Sequence, residues 1–272
     1  MLCPPFESAA RTFETLLRDY RNSGEYNDRV HRELTAATWA DPLLARHRRH
    51  VEANKLGFGD AAFHALWAGL LTRGAERFDT VHCLEIGVFK GQVISLWSLI
   101  AQTAELPVQT SAVTPLSGQP LPRSPLWNKI RYRLDRRFRE RIDNGDFYPT
   151  EDYETAVRGL FGEFDLDFEQ TRLYRGYSNA PEILRQLEGA TFQIVYVDGD
   201  HTLAGSLHDF RTFGAKVALG GWLIADDAGC DLPGTVFWKG HPAVSQAVQA
   251  LPAMGFENVF NVGHNRVYER VR

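Results

Sequence analysis

Apolar residues recur at helical spacing near the start of the chain. Phe13, Leu16, Leu17 and Tyr20 form one stripe, and Phe63, Leu66, Trp67, Leu70 and Leu71 form another, so residues 6–72 are expected to be helical. From residue 81 the texture changes to short apolar runs alternating with helical stretches. This predicts strands at about 81–86, 108–113, 171–175, 192–198 and 219–225, with helices starting near 91, 151, 179, 202 and 241. At the end, residues 255–262 and 266–271 alternate with period two around the polar turn Gly263-His264-Asn265, which predicts an antiparallel hairpin. The pattern is that of an α/β protein: a doubly wound, mostly parallel, seven-stranded sheet ending in an antiparallel hairpin, with an N-terminal helical extension. No Pro-, Gly- or Ser-rich linker separates two cores, so residues 1–75 are read as the extension and 76–272 as one sheet domain.

One stretch, about 115–145, interrupts the alternation. It carries Arg123, Lys129, Arg131, Arg133, Arg136, Arg137, Arg139 and Arg141 against few acids, and predicts a positive helix over 126–142. Such a helix is either an amphipathic cap whose Arg stems cover apolar surface, or a face for a phosphate, an acidic partner or a membrane surface. The cluster Arg46 to His50 reads as a solvated helix face. A net charge of −4 over 272 residues gives no reason to expect a general polyanion binder, so no nucleic-acid partner is expected. Cys3, Cys83 and Cys230 are odd in number and in no metal-ligand spacing, which fits a reduced intracellular protein. The first residues lack a basic and apolar leader, and no apolar run is long enough to span a bilayer; the expectation is a soluble, cytoplasmic protein.

Three segments carry candidate chemistry. In Glu85-Ile86-Gly87-Val88-Phe89-Lys90-Gly91, a strand turns into a helix. Gly87 permits close backbone approach to a ligand, and Gly91 opens a helix whose amide groups face an anion. The spacing lacks the extra glycine of a dinucleotide fingerprint, and alone it equally describes a turn in some other α/β enzyme. The second segment, Val197-Asp198-Gly199-Asp200-His201, ends one apolar strand; the third, Gly221-Trp222-Leu223-Ile224-Ala225-Asp226-Asp227, ends the next. Were these strands neighbours, about 4.8 Å apart, Asp198, Asp226 and Asp227 would converge and would repel unless a cation joined them. Oxygen donors without cysteine favour Mg²⁺ or a similar ion over zinc. Asp200 is also a candidate helix cap.

With Tyr174-Arg175-Gly176-Tyr177-Ser178, these motifs resemble the cation-dependent small-molecule O-methyltransferases of class I, which use S-adenosylmethionine. The nearest branch is that of the macrocin and mycinamicin sugar O-methyltransferases and the cephalosporin-hydroxylase-like proteins. The resemblance covers about residues 55–262. It implies a Rossmann-like fold, S-adenosylmethionine as cofactor, and a sugar, phenol or natural-product hydroxyl as acceptor. Position by position, it implies cofactor contacts from Glu85, Gly87, Gly91, Tyr177, Ser178 and Asp198, a metal triad of Asp198, Asp226 and Asp227, and His201 or Asp200 as base. His201 is preferred because its ordinary pKa lies near neutrality.

The chain departs from the family where the second strand should end in an acid that holds the cofactor ribose. It ends in Thr114-Pro115 instead, leaving Thr114 or a later acid such as Asp146 for that task. Val93 also stands where relatives often carry serine. Tyr177-Ser178 is read either as an adenine contact or as a helix cap. Trp238, Lys239 and His241 are candidate acceptor-pocket residues, and Gly57 to Asp60 a candidate lid. His64, His82 and His264 are read as structural. Two other readings stay open: a metalloenzyme of different chemistry, for which the second imidazole at His208 is poorly placed, and a non-catalytic binding module. The front helices are a possible homo-oligomer surface.

Overall fold

The computed structural model describes residues 6–145 and 147–272. Cys3 and Asp146 lie outside the described residues. The front piece consists of α1 (Glu7–Arg18), α2 (Gly24–Ala40), α3 (Pro42–Asn54) and α4 (Ala62–Arg77). Its boundaries follow local chemistry. Ser23 accepts the Tyr26 amide at the start of α2, and Asp41 accepts the amides of Leu43 and Leu44 ahead of Pro42 in α3.

The alternating region runs β1 (Val81–Ile86), α5 (Gln92–Thr103), β2 (Val108–Thr114), α6 (Pro125–Leu134), α7 (Arg136–Asn144), α8 (Tyr153–Glu163), β3 (Arg172–Arg175), α9 (Pro181–Gln186), β4 (Phe192–Val197), α10 (Leu203–Gly214), β5 (Val217–Ala225), α11 (Pro242–Ala247), β6 (Phe256–Val262) and β7 (Asn265–Arg270). The expected single helix over 126–142 is two helices. Asp135 adopts extended backbone between them, and its side chain accepts the Phe138 amide, so the short acid caps α7 and ends α6.

The sheet order is β3-β2-β1-β4-β5-β7-β6. Strands β1 to β5 are parallel; β7 lies antiparallel to β5, with Ala225 opposite Arg266, and β6 completes the hairpin. The order reverses between β1 and β4, and ligands of open α/β sheets sit at the carboxyl ends of the strands flanking such a switch point.

Each strand sends alternate residues to two cores. On one face Cys83, Ile194, Tyr196, Trp222 and Ile224 pack with Phe13, Leu34, Leu66 and Trp97, so the front helices cover this side of the sheet. Trp67 meets Trp97 and Tyr196 edge-on, with ring centroids 5.0 and 5.2 Å apart. On the other face Leu84, Ile86, Val195, Val197 and Leu223 pack with Phe210, Phe213 and Val244 of α10 and α11. Among the described residues no helix is long and apolar enough to cross a membrane.

Candidate active site

A cleft of about 1030 Å³ opens at the carboxyl ends of β1, β2, β4 and β5. Of the residues expected to carry the base, the cofactor or the metal, Gly91 alone is absent from its wall, and of the candidate acceptor-pocket residues Lys239 is absent.

The glycine turn is a place of backbone contact. Gly87 has φ +99°, and a Cβ there would stand 2.0 Å from the Asp198 carbonyl oxygen, so the turns after β1 and β4 touch without a side chain between them. Gly91 (φ +88°) opens α5. Glu85 is 3% exposed. Burial pushes its carboxyl up to about 8, the nearby Asp226 charge adds to this, and the Ile94 amide of α5 works in the opposite direction. Its Oε2 is buried with no hydrogen-bond partner, an acceptor facing a ligand space.

The ribose end is more constrained than the sequence indicated. Thr114 lines the cleft, but its hydroxyl donates to the Val88 carbonyl (2.9 Å) and accepts the Leu116 amide (3.0 Å), leaving one acceptor lone pair for a ligand. Tyr177 stands exposed on the cleft wall. The capping alternative for Ser178 does not hold: the N-cap of α9 is Ala180, with no side-chain cap, and Ser178 lies on the cleft wall.

The carboxylates of Asp198, Asp226 and Asp227 do converge, and imidazoles come with them. His201 Nε2 lies 3.2 Å from Asp227 Oδ2 and 3.5 Å from Asp198 Oδ1; His241 Nε2 lies 3.5 Å from Asp227 Oδ2. The two rings stack with centroids 4.7 Å apart. His264 Nε2 lies 3.3 Å from Asp226 Oδ1 and 3.4 Å from Asp227 Oδ1. Donor atoms of His201, Asp227 and His241 lie within 4.8 Å of one another, as do those of Asp226, Asp227 and His264.

Burial opposes charge at Asp198, Asp226 and His264. It drives Asp198 well above the usual carboxylate range, with the charge of Asp226 in support. Asp226 overcomes burial through His264 and the Tyr196 hydroxyl and stays below that range; it also accepts Asn265 Nδ2 at 2.7 Å. Reciprocally, the pull of Asp226 outweighs burial at His264 and raises its pKa. Asp227 has φ +54°, an uncommon conformation for a residue with a side chain, and it stands where both donor groups meet.

One expectation is corrected here and one is extended. His264, read as structural, lies in the acid cluster because the β5–β7 pairing carries the hairpin turn to the end of β5. A second imidazole, which His208 was expected to be poorly placed to provide, comes from His241, itself a candidate pocket residue: the loop after β5 folds back, and the His241 amide donates to the Asp227 carbonyl at 2.8 Å. Trp238 faces both imidazoles edge-on, 5.3 Å from His241 and 5.0 Å from His264, and lines the cleft; Lys239 turns away, donating to the Leu232 carbonyl.

Asp200 is occupied. Arg137 Nη2 donates to its Oδ2 at 2.5 Å and the Thr202 amide to its Oδ1 at 2.9 Å. Against the effect of burial, these bonds hold its carboxyl below the usual range. The cap of α10 is Thr202 and not Asp200. Gly57 to Asp60 line the cleft.

Residues 84–228 match the family model described as a methyltransferase domain, and the chain belongs to that family. Its strand order is that of the class I S-adenosylmethionine-dependent methyltransferases. Among solved structures it is similar to the O-methyltransferase NovP, with 19% identity, a TM-score of 0.52, and coverage of 74% of this chain and 77% of that one. It is likewise similar to the calicheamicin methyltransferase CalS11 (12% identity, TM-score 0.52, coverage 93% and 96%). A third is a putative caffeoyl-CoA O-methyltransferase from Staphylococcus aureus (12% identity, TM-score 0.51, coverage 81% and 88%). These likenesses concern the fold. No curated protein sequence matches the chain.

Proposed function

We propose that the protein moves the methyl group of S-adenosylmethionine to a hydroxyl of a small-molecule acceptor, a sugar, phenol or natural product, with the help of a divalent cation. The observation that carries this reading is the meeting, in one cleft, of the glycine turn and its unpartnered Glu85 oxygen with the buried carboxylates of Asp226 and Asp227, the half-buried one of Asp198, and bordering imidazoles. Glu85, Gly87, Gly91 and Asp198 would hold the cofactor on one side and Thr114, Tyr177 and Ser178 on the other. Bound there, S-adenosylmethionine supplies a methyl group on a positively charged sulfur.

Asp226 and Asp227, with Asp198 beside them, would hold the cation, which supplies Lewis acidity that makes a nearby hydroxyl a better acid. An all-carboxylate triad suits Mg²⁺. The His264 imidazole within reach of both Asp226 and Asp227 suits ions of the Mn²⁺, Fe²⁺ or Zn²⁺ kind as well. In this reading His201 takes the acceptor proton. The carboxylates of Asp198 and Asp227 orient its ring and stabilise the imidazolium, while stacking on His241 keeps the ring in place. Asp200, tied to Arg137, anchors α7 over the site instead of acting as base. Trp238 closes one side of the cleft against water.

Turnover of a hydroxyl-bearing acceptor, followed as S-adenosylhomocysteine formation, tests the reading with and without EDTA and in His201→Ala. Loss in both is expected; full turnover after cation removal would overturn the metal-assisted version. The His201–Asp227–His241 array favours a second reading, a two-imidazole, one-carboxylate metalloenzyme. Iron retention with oxygen consumption in the absence of S-adenosylmethionine would support it. Absence of cofactor binding at millimolar concentration, with no such activity, would leave a binding module.

A further inference from the structure

Helix α6 carries its apolar stripe on the outside. Leu126, Ile130 and Leu134 recur every fourth residue and Trp127 falls on the same side; they are 72%, 39%, 82% and 54% exposed. The other side holds the helix in place. Tyr132 donates its hydroxyl proton to Asp143 of α7 (2.9 Å), and the Arg131 guanidinium lies 4.2 Å from the centre of the Phe138 ring while pairing with Asp135. Helix α7 is in turn fastened to the active-site loop through Arg137 on Asp200 and Asn144 Nδ2 on the His201 carbonyl. The stripe is therefore held pointing away from the body of the protein.

Cations border it. Lys129 and Arg133 flank one side, Arg131 the other, and Arg123 precedes the helix; no acid occurs between Glu105 and Asp135. An apolar stripe of four large side chains rimmed by positive charge marks a covered surface and not a solvated one. A second copy of this chain would bring the same cations face to face across a symmetric contact. An anionic bilayer satisfies both features: the Leu, Ile and Trp side chains enter below the headgroups while Lys and Arg remain at phosphate level.

We propose that α6 docks the protein onto an anionic membrane surface. Because Arg131, Arg137 and Arg141 line the cleft next to this helix, docking sets the cleft mouth against the lipid.

The test is co-sedimentation of the full chain with phosphatidylcholine vesicles and with vesicles containing phosphatidylglycerol as well. Binding about tenfold stronger to the anionic vesicles is expected, weakening several-fold as salt rises from about 0.1 to about 0.5 M. The double variant Leu126→Glu, Leu134→Glu should lose about tenfold or more of that binding while its calorimetric affinity for S-adenosylhomocysteine stays unchanged, which shows that it is folded. A blue shift of tryptophan emission on anionic vesicles should shrink in Trp127→Phe. Equal binding to both vesicle types, or to neither, would overturn the proposal. So would a concentration-dependent dimer in sedimentation velocity that the double variant abolishes, since a second copy would then cover the stripe.

Discussion

Replacing Glu85 by Gln separates what the cleft costs the empty fold from what it contributes to ligand binding. The Glu85 carboxyl is raised from its ordinary 4.5 to about 8 by burial, with Asp226 in support. A carboxyl raised in the folded state binds more protons there than in the unfolded chain between these two values. Stability is therefore fully present below about 4.5 and is lost as pH rises through 8. At about 1.36 kcal/mol per pH unit, the shift amounts to a loss on the order of 4 to 5 kcal/mol by pH 9, and about 3 at pH 7. Gln keeps the shape and cannot ionise. The stability of Glu85→Gln relative to wild type should therefore grow with pH by roughly these amounts in the cofactor-free protein, read from urea unfolding at pH 5, 7 and 9. Binding should move the other way. If the unpartnered Oε2 is the acceptor for a charged group of the cofactor, the loss of a charge-assisted bond lowers calorimetric affinity for S-adenosylhomocysteine by about 10- to 100-fold. Parallel stability curves would refute the burial argument, and unchanged affinity would refute the ligand contact.

Three further outcomes are expected. His47 and His64 form a buried pair (Nδ1 to Nε2, 3.0 Å) with Ser95 on the far nitrogen of His47, and burial, aided by the nearby charges of His50 and Arg48, lowers the His47 pKa from 6.5 to about 3. The folded state thus resists protonation. Its contribution is complete above 6.5 and is lost as pH falls toward 3, by about 2 kcal/mol at pH 5. The acid limb of a urea-midpoint profile should flatten in His47→Gln, and an unchanged slope would sink the assignment. Gly87→Ala adds a methyl group 2.0 Å from the Asp198 carbonyl at φ +99°. It should cost about 3 kcal/mol or more and abolish calorimetric cofactor binding, so a stable variant with normal affinity would contradict the close approach of the two turns. Asp227→Asn keeps a residue type that tolerates φ +54° while removing the charge shared by both donor groups. Mn²⁺ affinity followed by electron paramagnetic resonance should fall by about tenfold or more, and an unaltered titration would remove Asp227 from the ligand set.

The strands were legible because β1, β4 and β5 read as apolar runs that stop abruptly in polar residues, as in a parallel sheet with covered faces, whereas their order came only with the fold. The carboxylates were legible for the same reason: Asp198 follows β4, Asp226 follows β5, and those strands are neighbours. What the sequence did not show was how long-range register and loop return bring imidazoles among the carboxylates. His264 sits in a turn that looks like ordinary hairpin chemistry, and only the pairing of Ala225 with Arg266 brings it to Asp226. His241 depends on a loop that returns to its own start, with Gly240 against the Asp227 carbonyl where a Cβ would stand 2.2 Å away. The one local hint for it was a Gly-His-Pro sequence opening a helix. Asp135 was misread for a different reason: within a strongly helical basic run, a single short acid diverted the backbone into a cap.

These misreadings bear on the chemistry more than on the fold. A site of three carboxylates alone would repel itself without a cation, which made the metal a near necessity in the sequence argument. The folded site offers a partial alternative, since His264, Tyr196 and Asn265 already neutralise or bond Asp226, and burial favours a protonated Asp198. The fold can therefore hold the cluster together before any cation arrives. In the proposed mechanism a cation would then serve the acceptor hydroxyl and not assembly. The corresponding prediction is that exhaustive chelation lowers the unfolding midpoint by no more than a few degrees while it removes methyl transfer. Collapse of the fold on chelation would show instead that the imidazoles do not balance the carboxylates.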